Sequence, residues 1–190
     1  LISILYPYIE LILSFINYYN TLLNQNTTTS QNRIEATSRD ILSIIDFMKI
    51  AVSHLHMSPA IAFAESLHMI LFDGLGIGTN MSSALCSEYK SKCFTYLLEL
   101  VPEVSSNEVI SFYSSSSSIS FTEISFGISP YTIPIRDSSS SLAQLTDYHF
   151  NAPTTSNNLK RVLRALQLRK PILLEGDWTS KPNLIPANFS

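Results

Sequence analysis

Apolar side chains return every third or fourth residue through the first hundred positions, and past Pro102 they stop doing so. That spacing is the mark of helices with one buried face. Pro7 opens the first of them, and Ile9, Ile12, Phe15, Ile16, Tyr19 and Leu23 follow at helical intervals. A polar stretch from Asn24 to Asn32 reads as a loop. Thr37-Ser-Arg-Asp40 then has the pattern of a capping box, with Ile41, Ile44, Ile45, Met48 and Val52 as one stripe behind it. Ser58-Pro59 starts a third helix through Phe63, Leu67 and Leu71, and Gly74 can end it. A fourth covers about residues 80–100, with Ala84, Cys86, Tyr89, Cys93, Tyr96, Leu97 and Leu100 on its interior rows. Four such helices imply a small helical bundle.

After Pro102 the pattern changes period. Val109-Ile-Ser-Phe-Tyr113 and Ile119 to Phe126 alternate apolar and polar, which predicts strands. Phe126 to Ile135 is an extended segment punctuated by Gly127, Pro130 and Pro134. Two serine runs, 114–118 and 138–141, interrupt this region and read as flexible linkers, with mobility expected over 103–150. Ser156 caps a last helix with Leu159, Val162, Leu163 and Leu166 on one face and Lys160, Arg161, Arg164, Arg169 and Lys170 mostly on the other. Such a basic face usually meets solvent. Pro171 to Gly176 reads as a short buried strand.

Composition excludes more than it assigns. Charged residues make up 14% of the chain and the formal net charge is −3, too little positive charge for a nucleic-acid binder driven by bulk electrostatics. Two cysteines exclude a disulfide scaffold. The greasy stretch 1–19 is interrupted by Pro7, Glu10 and Asn17, so it is a poor membrane span, and it has no signal-peptide pattern. The sequons at Asn26, Asn80 and Asn188 read as chance in a Ser/Thr-rich chain.

Several chemical motifs are weak when weighed singly. Asp73-Gly-Leu-Gly-Ile-Gly78 follows a helix and has the wrong glycine spacing for a dinucleotide loop, so it reads as a helix stop and turn. His54, His56, His68, Cys86 and Cys93 lack metal-ligand spacing, and read as ordinary histidines and core thiols. No Ser/His/Asp set or carboxylate pair stands out. Arg39, in the first turn of an apolar helix, is either a surface ion-pair partner or an arginine aimed at a neighbouring phosphate. Pro171 to Gly176 resembles the strand before a P-loop, yet Gly176-Asp-Trp-Thr-Ser-Lys-Pro-Asn183 lacks the second glycine and the Lys-Ser/Thr step. Pro182 and Pro186 would also break the helix that should face the phosphates.

Taken in order, four segments resemble midasin, the giant dynein-related AAA+ ATPase family of large-ribosomal-subunit maturation. They are Ser38-Arg-Asp-Ile-Leu42, His68-Met-Ile-Leu-Phe-Asp-Gly-Leu-Gly76, Phe126-Gly-Ile-Ser-Pro-Tyr-Thr-Ile-Pro134, and the run from Asn151-Ala-Pro-Thr-Thr155 through Lys170-Pro-Ile-Leu-Leu-Glu-Gly176. The last is the most specific, and the likeness covers roughly residues 1–101 and 126–176.

The resemblance implies a mainly α chain. Residues 1–101 would be the helical lid-like domain of one AAA+ module. Residues 102–150 would be an irregular, partly β connector with serine-rich loops, and 151–176 would start a second, incomplete α/β module. It implies that Arg39 is a sensor-type arginine facing a nucleotide whose P-loop lies before residue 1. Ala152, Pro153 and Thr154 would lie at the base of the next module's nucleotide, and Gly176 would be its first P-loop glycine. ATP and Mg2+ would be the parent family's cofactors, with neither expected on this chain alone. Adjacent AAA+ modules and the pre-60S particle would be partners, and the nucleus the location, with no nucleic-acid motif and no membrane contact. No catalytic residue and no metal ligand is assigned. Likeness to the family stops abruptly at Gly176 or Asp177, which points to a shifted frame, a retained intron or an early splice end for an aberrant tail, 177–190. The other reading of the same residues is a non-catalytic helical protein-interaction module.

Overall fold

A computed structural model describes residues 2–24, 35–76, 81–101, 103–114, 119–122, 124–135, 153–168 and 170–172. The chain is mainly helical, with one small antiparallel sheet. Helix α1 spans Ile2–Asn24, α2 Ser38–Ser53, α3 Pro59–Leu67, α4 Ser83–Leu100, α5 Glu103–Ser114 and α6 Pro153–Leu166. Strands β1 (Ile119–Phe121), β2 (Ser125–Ile128) and β3 (Tyr131–Pro134) form the sheet in chain order.

The four expected helices are present, and α3 is the hub. Every residue from Ala60 to Leu67 is buried. Helices α1, α2 and α5 pack on α3, and α4 lies against α1. The stripes read from spacing supply the core: Ile12, Phe15 and Tyr19 of α1, Ile44 and Met48 of α2, Phe63 and Leu67 of α3, Tyr89, Cys93 and Leu97 of α4. Local chemistry sets two helix starts. The Asp40 carboxylate accepts from the Thr37 backbone N–H at 2.7 Å and its hydroxyl at 2.8 Å, fixing the first turn of α2. Ser58 Oγ accepts from the Ile61 N–H at 3.3 Å, with Pro59 at the first helical position of α3.

Some expectations are corrected. Helix α1 begins before Pro7 and runs through it, because Leu5 upstream is itself buried against the core. Ile9 is 42% exposed rather than part of the buried stripe. Ala84 is exposed at the start of α4, before that helix reaches the core at Tyr89.

The largest correction is at 109–113, which is helix α5 rather than a strand. A five-residue run cannot fix its own period. Here Val109 is fully buried as α5 packs on α3, and Ser106 Oγ donates to the Leu98 and Val101 carbonyls at 3.1 and 3.0 Å, tying α5 to the end of α4. The described part of 103–135 therefore holds helix α5 as well as the sheet. Both serine runs, apart from Ser114 at the end of α5, lie outside the described residues.

The segment 119–126 is not one strand but β1, a turn at Thr122, and the start of β2. The Gly/Pro segment folds as the β2–β3 hairpin, with Gly127 opposite Thr132 and a cis Ser129–Pro130 peptide. Gly127 is required there: a Cβ would meet the Tyr131 carbonyl oxygen at 2.2 Å. Helix α6 starts at Pro153 rather than at Ser156, since proline suits a first helical position. It packs on β2, β3 and the end of α3. Of the expected strand 171–176, only Pro171 and Ile172 are described, and neither is in a strand.

Candidate functional site

Where α3 ends, the helix widens. His68–Phe72 is a turn of π-helix, closed by the Asp73 N–H on the His68 carbonyl at 2.9 Å. The chain then turns over Asp73–Gly76, and Gly76 sits at φ 91°, where a Cβ would strike Cys86 Sγ at 2.4 Å. The helix stop and turn expected of Asp73-Gly-Leu-Gly is what forms. It also aims a carboxylate.

Against this end lie side chains from two other segments. Arg164, of α6, is 4% exposed. Its Nη1 donates to Glu65 Oε2 at 2.9 Å, and its Nη2 donates to Asp73 Oδ2. Arg161 Nε, one turn earlier, meets the other Asp73 oxygen at 3.0 Å. Tyr131, of β3, donates its hydroxyl to Glu65 Oε2. Lys160 covers the Phe112 ring of α5 at 4.7 Å. The expected solvated basic face is thus corrected in part. Arg164 is wholly inside and Lys160 is partly buried, while Arg161 and Lys170 remain exposed, so only the part of the face around Arg164 docks, against two carboxylates.

A fully buried carboxylate costs several kcal/mol unless paired. Glu65 has no exposed side-chain surface, so the guanidinium and phenol that reach it are what make its position tolerable. Burial first, and then the Glu65 carboxylate, push the Tyr131 hydroxyl far above its usual pKa, so it stays a donor. Burial likewise lowers Lys160. His68 lies edge-on to Phe72 and Phe94, with ring centroids at 4.6 and 6.0 Å. Burial brings its pKa down to about 4, with Arg164 adding to the effect and Glu65 opposing it.

This joint is what reading the sequence missed. Glu65, Tyr131 and Arg164 carry no motif of their own. The available signal was a carboxylate inside an otherwise apolar helix, since Glu65 sits among Ala60 to Leu67 and acids are almost never fully buried unless paired. Of the residues singled out as nucleotide-facing, Arg39 is exposed in the first turn of α2, far along the chain from the joint and without a side-chain partner among the described residues. Thr154 is exposed in the first turn of α6. Pro153 begins that helix, while Ala152 and Gly176 lie outside the described residues. Among the described residues, no three His, Cys, Asp or Glu side chains could hold a metal ion, and no helix is long and apolar enough to cross a membrane. Cys86 and Cys93 are free thiols, and burial pushes the Cys93 thiol up to about 12.

The architecture is that of a helical unit locked, through a buried polar joint, onto helix α6. Comparison with known proteins puts a family to it. The chain is 35% identical to a midasin of Dictyostelium discoideum across 94% of its own length, and 25% identical to a midasin of Giardia intestinalis across 73%. It is a midasin-like segment, in agreement with the four motifs, and it spans about 3% of the length of each of these relatives. No protein-family model matches the chain, and no solved structure does.

Proposed function

We propose that this chain is the joint between two consecutive AAA+ modules of a midasin-like ATPase. In this reading α1–α4 form the lid of one module, α5 and the sheet bridge, and α6 opens the next. The parent would use ATP and Mg2+ to remodel pre-60S ribosomal particles in the nucleus, with the adjacent modules of the same chain as the nearest partners. The segment itself would hydrolyse no ATP. Its work would be to hold two modules in register.

One observation carries the reading. Asp73, Tyr131 and Arg164 come from three separate segments that resemble midasin, and they converge with Glu65 on one buried cluster. Motifs that are scattered in sequence and joined in space support a shared structural task. In this reading Arg39 would face the nucleotide of the preceding module and Thr154 that of the next. Arg39 presents an exposed guanidinium suited to a phosphate, and Thr154 presents a hydroxyl at a helix start, where anions are favoured. Among the described residues, no three His, Cys, Asp or Glu side chains converge to hold a metal ion, so in this reading Mg2+ would be held by other parts of the parent.

The test is made in a full-length midasin-like parent. Arg164→Ala touches no nucleotide contact in this scheme, yet it should lower ATP turnover severalfold by loosening the register of two modules. Wild-type turnover in a folded Arg164→Ala parent would overturn the reading. A second reading, a non-catalytic helical interaction module, is favoured by the exposed Ile4, Tyr6, Ile9 and Leu13 of α1. It predicts that substitutions on α1, and not at the joint, disturb the parent.

A further inference from the structure

Glu65 and Asp73 are eight residues apart, and one guanidinium holds both. An unbroken α-helix would not allow this easily. Eight steps of about 100° overshoot two full turns by about 80°, which sends the two side chains to different faces. The π turn at His68–Phe72 takes up one extra residue without advancing the helix phase. Seven effective steps fall about 20° short of two turns, and the carboxylates line up. The widened turn is thus the geometric reason that Arg164 can bridge them.

We infer that this π turn makes the joint a two-register latch. In the closed register, seen here, Arg164 holds Glu65 and Asp73 together. In the open register, the turn relaxes to α geometry and the Asp73 N–H bonds the Met69 carbonyl instead of that of His68. Asp73 then swings by about 100°, away from both Arg161 and Arg164. The inner half of the latch, Glu65 with Tyr131 and Arg164, is fully buried and stays made. The outer half is built to move. Asp73 is 23% exposed and Arg161 49% exposed, and the next residue, Gly74, has open space where a Cβ would stand. The two registers would set how firmly α6 is held by the helical unit. As a regulatory device this rests on the module-joint reading; as geometry it concerns this chain alone.

The intact 190-residue chain tests it. A chain lacking Ile70 removes the extra residue, so seven true α steps keep Glu65 and Asp73 aligned with no second register available. NMR-detected amide exchange at 71–73 should slow by about tenfold in this variant, since local opening sets such rates. Arg164→Ala should destabilise the deletion chain as much as it does the native one. Unchanged exchange, or a folded deletion chain indifferent to Arg164→Ala, would overturn the latch. Should the deletion chain not fold, Asp73→Asn serves in its place. It weakens only the outer half, so exchange in α6 should rise severalfold while 61–67 stays as in the native chain. Equal exchange in α6 would overturn the proposal. A parent ATPase indifferent to Arg164→Ala would remove the module reading and leave these exchange results standing.

Discussion

The helical unit and the joint are held by opposite means. In the unit, Phe15, Phe47, Phe63, Leu67 and Leu97 have no exposed surface, and their partners are other apolar side chains. Such contacts are non-directional and tolerate exchange of one shape for a similar one. The joint is made from two carboxylates, two guanidiniums and a phenol, each donor aimed at a particular carboxylate oxygen. Replacing one leaves another buried without its counter-charge. The unit therefore supplies stability with loose specification, and the joint supplies one docking position with little tolerance.

The sharpest way to break that comparison is a pair of conservative substitutions. Arg164→Lys keeps the charge, but one ammonium cannot present two parallel donors to Glu65 and Asp73. It should cost about 2–4 kcal/mol, toward the range for breaking a buried pair. Leu67→Met, equally buried but apolar, should cost under about 1.5 kcal/mol. Urea denaturation of both variants decides. Equal costs would mean that the joint is no more directional than the core.

His68 sharpens the comparison because it sits on the border of the two regions, against Phe72 and Phe94 on one side and facing Glu65, Arg164, Lys160 and Lys90 electrostatically. Its pKa is about 4 here against 6.5 for the ordinary residue. The unfolded chain therefore takes up a proton first as pH falls. The neutral ring's contribution is complete above pH 6.5 and is lost progressively toward pH 4. A shift of this size corresponds to at most about 3 kcal/mol, and the partial exposure of the ring reduces it toward about 2. Stability measured at pH 7 and pH 5 should differ by less in His68→Phe than in the native chain. An identical pH slope in the two would assign the acid sensitivity to other groups.

The two regions were also unequally legible in the sequence. Helices α1–α4 announced themselves because each repeats its apolar residues over several turns, and the signal accumulates with length. Thr37 to Asp40 and Ser58-Pro59 placed two of their starts through local bonds that need no tertiary partner. The joint gave no comparable signal. Its members lie 66 to 99 residues from Glu65 or within one short turn, and only the fold brings them together. Arg164 looked like one more charge on a basic face, and nothing in the sequence of α6 distinguishes it from Arg161, which is exposed. Val109 to Tyr113 failed for a related reason: five residues fit either period, and the choice was made by the α3 surface on which α5 lies. The family motifs marked where the chain comes together without indicating which atoms meet.

Arg39 offers the smallest effect on the chain and the most direct test of what lies outside it. The bland account is a surface ion pair with Asp40 or Glu35. The structure favours neither. Asp40 turns its carboxylate back to the Thr37 N–H and hydroxyl, and Glu35 accepts from Asn24 Nδ2 at 3.2 Å. Arg39 is left exposed at a helix start that the capping interaction holds in place. Arg39→Ala should then change the stability of the chain by no more than about 0.5 kcal/mol, as at other exposed sites. In a parent with an intact upstream P-loop, the same change should slow ATP turnover. A guanidinium near a transferring phosphoryl group stabilises its developing charge, and arginines acting in this way contribute about 10³-fold or more where they reach the γ-phosphate directly. An arginine carried on a lid reaches the phosphate only when the lid is seated, so its loss should be smaller, and it should compound with loss of the joint less than multiplicatively. Turnover of Arg39→Ala, Arg164→Ala and the double variant measures this. Single losses that multiply fully would mean that the two residues act independently, and normal turnover in Arg39→Ala would leave it a solvated residue at the start of α2.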